Sequence, residues 1–246
     1  MAATAIATYM LYKWAKNIPF NYIKQTDYDI CQWLNGSFCS RIASIITAVL
    51  VYGVYLQITP SVKNALKDPL SQGLDGALIG GGIMILSIIA NIVFGFIELK
   101  GINYDKLTYY PFIVIIGMLM TGFTEELMFR ALPINALRSY LPENILVWLT
   151  ALFFGYIHSS ESIYYGISAF IFGLITGYGF LKYGLYWASA LHFSSNTIET
   201  LFYSIFKYKV KNSVMAGMRE TPDDDGTTTS LIQMVVLFGL KYIGYL

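Results

Sequence analysis

Long apolar runs separated by short polar connections dominate this chain and leave few folds open to it. The runs are Arg41 to Thr59, Leu74 to Leu99, Pro111 to about Leu132, Ile145 to His158, Ser162 to Leu181, Leu185 to Phe206 and Leu231 to Leu246. A helix crosses the hydrocarbon layer with about 20 mostly apolar residues, and most of these runs reach or approach that length. The stretch Met1 to Trp14 is apolar but too short to span alone. Lys13 follows it, whereas a secretory signal carries its charge in front, so it reads as a truncated or tilted first helix. The fold expected is all-α, a polytopic membrane helical bundle of seven to eight transmembrane helices, with residues 1–246 as one integral membrane domain.

Composition supports that reading. Of 246 residues, 56% are hydrophobic and 13% charged, about half the charged share of a soluble globular chain. Sixteen basic and fifteen acidic side chains are too few to cover a soluble surface of this size. A soluble enzyme and a disordered scaffold are thereby excluded. A net charge of +1 leaves no electrostatic footprint for nucleic acid, so the partner expected is the lipid bilayer. The two cysteines, Cys31 and Cys39, cannot build a disulfide framework.

Pro60 to Gly73, Lys100 to Thr108 and Ser213 to Ser230 read as solvated connections, the last carrying Asp223, Asp224 and Asp225. With the segment before Arg41 inside, ten Lys and Arg fall inside, among them Lys100, Lys106, Lys207, Lys209 and Lys211. Four fall outside: Lys63, Lys67, Arg138 and Lys182. The bias sets the expected orientation.

A charge inside a span costs on the order of 2.5–3.5 kcal/mol on insertion scales and is a functional candidate by default. Among the polar residues within these runs, Glu125, Glu126, Arg130, His158, His192, Asn196 and Glu199 stand out, and they include both histidines of the chain. Glu125 and Glu126 point about 100° apart on a helix, and only Glu126 stands four residues before Arg130, where a buried carboxylate–guanidinium pair can form. Glu125 then has no local cation and suits a general base. Phe154 and His158 share a helix face, as do His192 and Asn196. Glu199 could join that second face or sit at the helix end.

The chain has no Gly-x-Ser-x-Gly, both cysteines precede the second span, and His-Glu-x-x-His is absent. Two imidazoles and a carboxylate could bind zinc, and Zn²⁺ held by Glu125, His158 and His192 is the alternative. The set also works without a cofactor. Glu125 aided by His158 would take a proton from water, and His192 with Asn196 would donate to a developing oxyanion. Asn never titrates and can help only in the second way, which favours the metal-free scheme. A transporter with a Glu/His proton relay is a rival from another class, and no repeat symmetry supports it. A non-catalytic scaffold is a third reading; Gly76-x-x-x-Gly80 and Gly173-x-x-x-Gly177 would serve close helix packing in any of them.

Three motifs in order, Glu125-Glu126-x-x-x-Arg130, Phe154-x-x-x-His158 and His192-x-x-x-Asn196, resemble the CPBP family of intramembrane proteases, which includes the type II CAAX prenyl endopeptidases. The resemblance covers about residues 110–206. It implies eight helices around a conical catalytic cavity open to the cytoplasm and the bilayer. It implies Glu125 as the water-activating base assisted by His158, His192 with Asn196 as the oxyanion site, and Glu126, Arg130 and Phe154 in support. The implied substrate is an isoprenylated protein or peptide that loses its C-terminal tripeptide. Relatives in bacteriocin immunity or peptide processing share the core motifs. The short chain looks closest to a prokaryotic, archaeal member, placed in the cell membrane; a eukaryotic one would sit in the endoplasmic reticulum membrane.

Glu125 sits late in its run and His158 at the far end of the next, antiparallel one. They reach similar depth only if the first motif helix continues past Pro133 towards Ser139, bent at Pro133.

Overall fold

The computed structural model describes residues 69–108, 110–159, 163–212 and 227–246, with positions 46, 49, 50 and 53 before them. The chain divides into two units, Met1–Asn64 and Ala65–Leu246. In the first, Ile46, Val49, Leu50 and Gly53 are helical. The rest of the expected span from Arg41 to Thr59, and the stretch Met1 to Trp14, lie outside the described residues.

The second unit runs α1 (Pro69–Val93), β1 (Ile97–Ile102), α2 (Tyr110–Glu126), α3 (Leu132–Leu137), α4 (Glu143–His158), α5 (Ile163–Tyr183), α6 (Leu185–Ile205), β2 (Phe206–Val210) and α7 (Thr227–Tyr242). Among the described residues three helices are long and apolar enough to cross a membrane: Ser71–Val93, Tyr110–Leu137 and Ile163–Tyr183. The protein is a membrane protein built mainly of helices. Among the described residues of this unit there are six helical segments, counting α2 and α3 as one; the remaining helices of the seven to eight expected fall on Met1 to Trp14 and Arg41 to Thr59, mostly outside the described residues. At 16 residues each, α4 and α7 are short of a full crossing.

The helix carrying the first motif continues past Pro133 to Leu137, as the depth argument required. Its irregularity begins before the proline: Leu127–Ala131 form a π turn, and the Leu132 N–H donates to the Leu127 carbonyl. Pro133 has no N–H to give and its ring crowds the preceding turn. Widening that turn by one residue shifts the hydrogen-bond register ahead of the ring.

The run Leu74 to Leu99 is not one helix. Gly95 takes φ +72°, which ends α1 beyond Val93, and Ile97 starts a strand. β1 pairs antiparallel with β2, Ile97 opposite Val210 and Ile102 opposite Phe206, with an irregularity between Leu99 and Gly101. The helical architecture expected is present, and this short ribbon, unforeseen, occupies part of what reads as a polar connection. The ribbon also fixes an end: α1 and α6 finish, and α2 begins, where β1 and β2 meet.

α6 packs along α1 and α2 and also touches α5; α4 packs along α5, and α7 covers α5 and α1. The core beneath them includes Ile83, Val147, Phe154, Phe172, Ile175, Trp187 and Leu191. Apolar residues remain exposed in helical stripes, among them Leu74, Leu78, Ile85 and Ile89 on α1 and Phe112, Ile115 and Leu119 on α2. Lipid is the solvent that such stripes suit. α6 is different, for it buries Ser189, His192, Ser194, Ser195 and Thr197 among the other helices.

Candidate active site

Glycines bring α6 close enough for its polar side chains to be held. A Cβ on Gly76 would lie 2.2 Å from the Trp187 carbonyl oxygen, and one on Gly80 2.1 Å from that of Leu191. From the other side, a Cβ on Gly122 of α2 would lie 2.8 Å from the Phe193 nitrogen. Ser195 Oγ donates to the Gly80 carbonyl at 3.0 Å. Backbone thus meets backbone on two faces of α6, the close approach that small residues allow in a membrane. Between α5 and α4, Gly173 lets the Ala151 backbone come close, and Gly177 makes room for the Val147 side chain.

The contact with α2 sets His192 beside both glutamates. Its Nδ1 lies 2.8 Å from Glu126 Oε1, and its Nε2 3.7 Å from Glu125 Oε2. The first is a hydrogen bond, with the imidazole N–H donating to a carboxylate that Arg130 also faces. The second is too long for a direct bond, and short enough for one water or substrate oxygen to touch both groups. The side chain of Glu126 is fully buried, whereas that of Glu125 is 30% exposed. The adjacent carboxylates therefore differ: one is locked inside, and the other can meet a molecule from outside.

Arg130 Nη1 stands 3.2 Å from Glu126 Oε1, both side chains fully buried. The guanidinium lies over the Phe154 ring at 4.3 Å, and Gly173 leaves it room, since a Cβ there would come within 3.1 Å of Nη2. A carboxylate and an aromatic face thus offset part of the cost of burying this cation. The Phe154 ring also packs 4.3 Å from that of His158 and edge-on to His192 at 6.0 Å. The sequence motifs join around this one ring.

His158 is placed by its own helix end. Its Nδ1–H donates to the Phe154 carbonyl at 2.7 Å, which leaves Nε2 as the acceptor in the neutral ring. Tyr165 packs edge-on to it at 5.3 Å. The structure shows no ion pair between His158 and Glu125; the imidazole next to Glu125 is His192. Asn196 lies one turn beyond His192 on α6, half-buried. Among the described residues no three His, Cys, Asp or Glu side chains form a group that could hold a metal ion.

Phe172, edge-on to His192 at 4.9 Å, and Tyr165 were not legible as site residues, because an aromatic in an apolar run carries no signal by spacing. Gly173 was legible only as a packing residue.

Residues 107–198 match the family model described as type II CAAX prenyl endopeptidase Rce1-like. Over that stretch the chain is similar to an Rce1-like domain. The Rce1-like match contains Glu125, Glu126, Arg130, Phe154, His158, His192 and Asn196 and covers less than half of the chain. No curated protein and no solved structure matches this chain significantly. At family level the Rce1-like match supports a CAAX-type intramembrane protease, a peptidase among the hydrolases.

Proposed function

We propose that the protein is a glutamate-dependent intramembrane endopeptidase that removes the C-terminal tripeptide from isoprenylated CAAX-type proteins or peptides. The observation that carries this reading is the half-open Glu125 facing His192 across 3.7 Å, beside the locked Glu126–Arg130 pair.

In the scheme proposed, Glu125 accepts a proton from water, and the water oxygen bonds to the scissile carbonyl carbon. His192, held through Nδ1 by Glu126, and Asn196 stabilise the oxygen on which negative charge develops. The carbon–nitrogen bond then breaks, and the proton returns to the departing amine. His158 assists Glu125, and its fixed tautomer supports that role by leaving Nε2 basic. No cofactor is required, and zinc is the alternative. The substrate is delivered by its isoprenoid anchor through the bilayer, which suits a site enclosed by apolar helices. The active site opens to the cytoplasm, the side on which the Lys and Arg bias places the β1–β2 end.

The test is cleavage of a farnesylated CAAX peptide by the full chain in detergent. Wild type releases the tripeptide, and Glu125→Ala does not. Full activity in Glu125→Ala would overturn the mechanism. An unprenylated peptide cleaved equally well would point to the peptide-processing branch. Loss of activity with a strong chelator, restored by Zn²⁺, would favour the metal.

A further inference from the structure

The β1–β2 ribbon lies outside the residues that match the family model, and nothing in the proposed chemistry uses it. β2 alternates: Phe206, Tyr208 and Val210 are partly buried, while Lys207 and Lys209 are exposed. Beneath it Ile97 and Tyr203 are buried, with Phe96 and Phe202 packed on them. The register puts Glu98 opposite Lys209, yet the Glu98 carboxylate is taken by Lys100 and by Lys211, the latter at 2.7 Å. Lys207 and Lys209 are left with no carboxylate within ion-pair distance among the described residues. Two residues apart on one strand face, their Cα atoms are roughly 6–7 Å from each other.

The depth of this face follows from its connections. β2 continues α6 without a linker, and β1 begins four residues after α1 ends. Exposed Phe94 and Tyr104 stand at the same end, with Leu99 and Ile102 exposed on the ribbon itself. Aromatic, apolar and basic side chains together at the ends of spans make up the layer between acyl chains and water.

We propose that Lys207 and Lys209 form a binding face for the anionic headgroups of the surrounding bilayer. The ligand is lipid and not a dissolved anion, because the ribbon is tied to the ends of two membrane helices and carries apolar side chains beside the lysines. A headgroup bound here braces the end of α6, the helix that carries His192 and Asn196.

The experiment uses the full chain in mild detergent doped with phosphatidylglycerol or phosphatidylcholine, reading retained lipid by native mass spectrometry and thermal unfolding in parallel. Each lysine near an anionic surface is worth about 1 kcal/mol, which is about fivefold in binding. Wild type should retain phosphatidylglycerol over phosphatidylcholine, and K207Q/K209Q should lose roughly 25-fold of that preference by the same per-lysine value. K182Q, at the far end of the bundle, should keep it. Added salt should weaken it in wild type, a readout that needs no variant to fold. A preference unchanged in K207Q/K209Q, equally lost in K182Q, or insensitive to salt would overturn the proposal. So would equal stabilisation of wild type by inorganic phosphate.

Discussion

Glu126 and Glu98 each stand between two nitrogen-bearing partners, in opposite surroundings. Glu126 meets Arg130 and His192 with no exposed side-chain surface. Glu98 meets Lys100 and Lys211 with all three side chains nearly half exposed. The contacts are alike in kind, so the surroundings separate their consequences. Water screens the Glu98 group and competes for its lysines. It cannot reach Glu126, where a missing partner leaves a bare charge among apolar side chains. Glu125, next to Glu126 in sequence, sits between these extremes. It is reachable from outside yet held near a buried imidazole, the environment proposed for the base.

The comparison breaks most visibly in catalysis. Glu125→Gln should lower the rate of farnesyl-peptide cleavage by roughly 10²–10⁴-fold, the usual contribution of a positioned general base, with thermal unfolding unchanged. Glu98→Gln should leave that rate alone. Equal losses in the two variants would show that accessibility does not mark the working carboxylate.

The next largest effect is on stability. Arg130→Met strands Glu126, and breaking a buried pair from one side costs about 3–5 kcal/mol, measurable as a lower Tm in detergent. Adding Glu126→Leu should recover part of the loss, because an apolar pair carries no desolvation penalty, although the buried His192 Nδ1–H then loses its acceptor. A double variant no more stable than Arg130→Met would mean that the pair holds the fold by more than mutual neutralisation.

A smaller effect tests how the buried group is held. Gly122→Ala puts a Cβ 2.8 Å from the Phe193 nitrogen, so α6 must move away from α2. The overpacking should cost about 1–3 kcal/mol and lengthen the contact from Glu126 to His192. Cleavage should then fall by more than the folded fraction does. Ser71→Ala, near the start of α1, is the control expected to change neither.

Helices and site residues were readable from the sequence where the interaction is local. Glu126 and Arg130 stand four apart, and the distance between them is set by the helix that both belong to. Gly76 and Gly80 announced a close helix contact by spacing alone. The bond from His192 to Glu126 joins residues 66 positions apart, and no local pattern chooses which glutamate it takes. The π turn at Leu127–Ala131 was hidden for a similar reason, since Pro133 signals a bend but not where the register slips. The ribbon was missed because Ile97–Leu99 and Phe206 extend apolar runs that are helical up to Val93 and Ile205. A positive φ at Gly95 and pairing with a strand over a hundred residues away decide against the helix there.

The mildest prediction concerns the exposed member of the comparison. Hydrogen bonds from Lys100, and then from Lys211, lower the Glu98 pKa from 4.5 to about 2. A depressed carboxylate stabilises the folded state above its unfolded pKa, and the contribution fades as pH falls through the folded value. The window therefore runs from about pH 4.5 down to about pH 2. With Glu98 solvated, the effect should be small and sensitive to salt. Thermal unfolding of wild type and Glu98→Gln should differ slightly at neutral pH and converge across that window, and high salt should remove the difference. A large gap at neutral pH that survives high salt would mean that the ribbon's ion pairs are shielded like the Glu126 pair, and the contrast between the two glutamates would collapse.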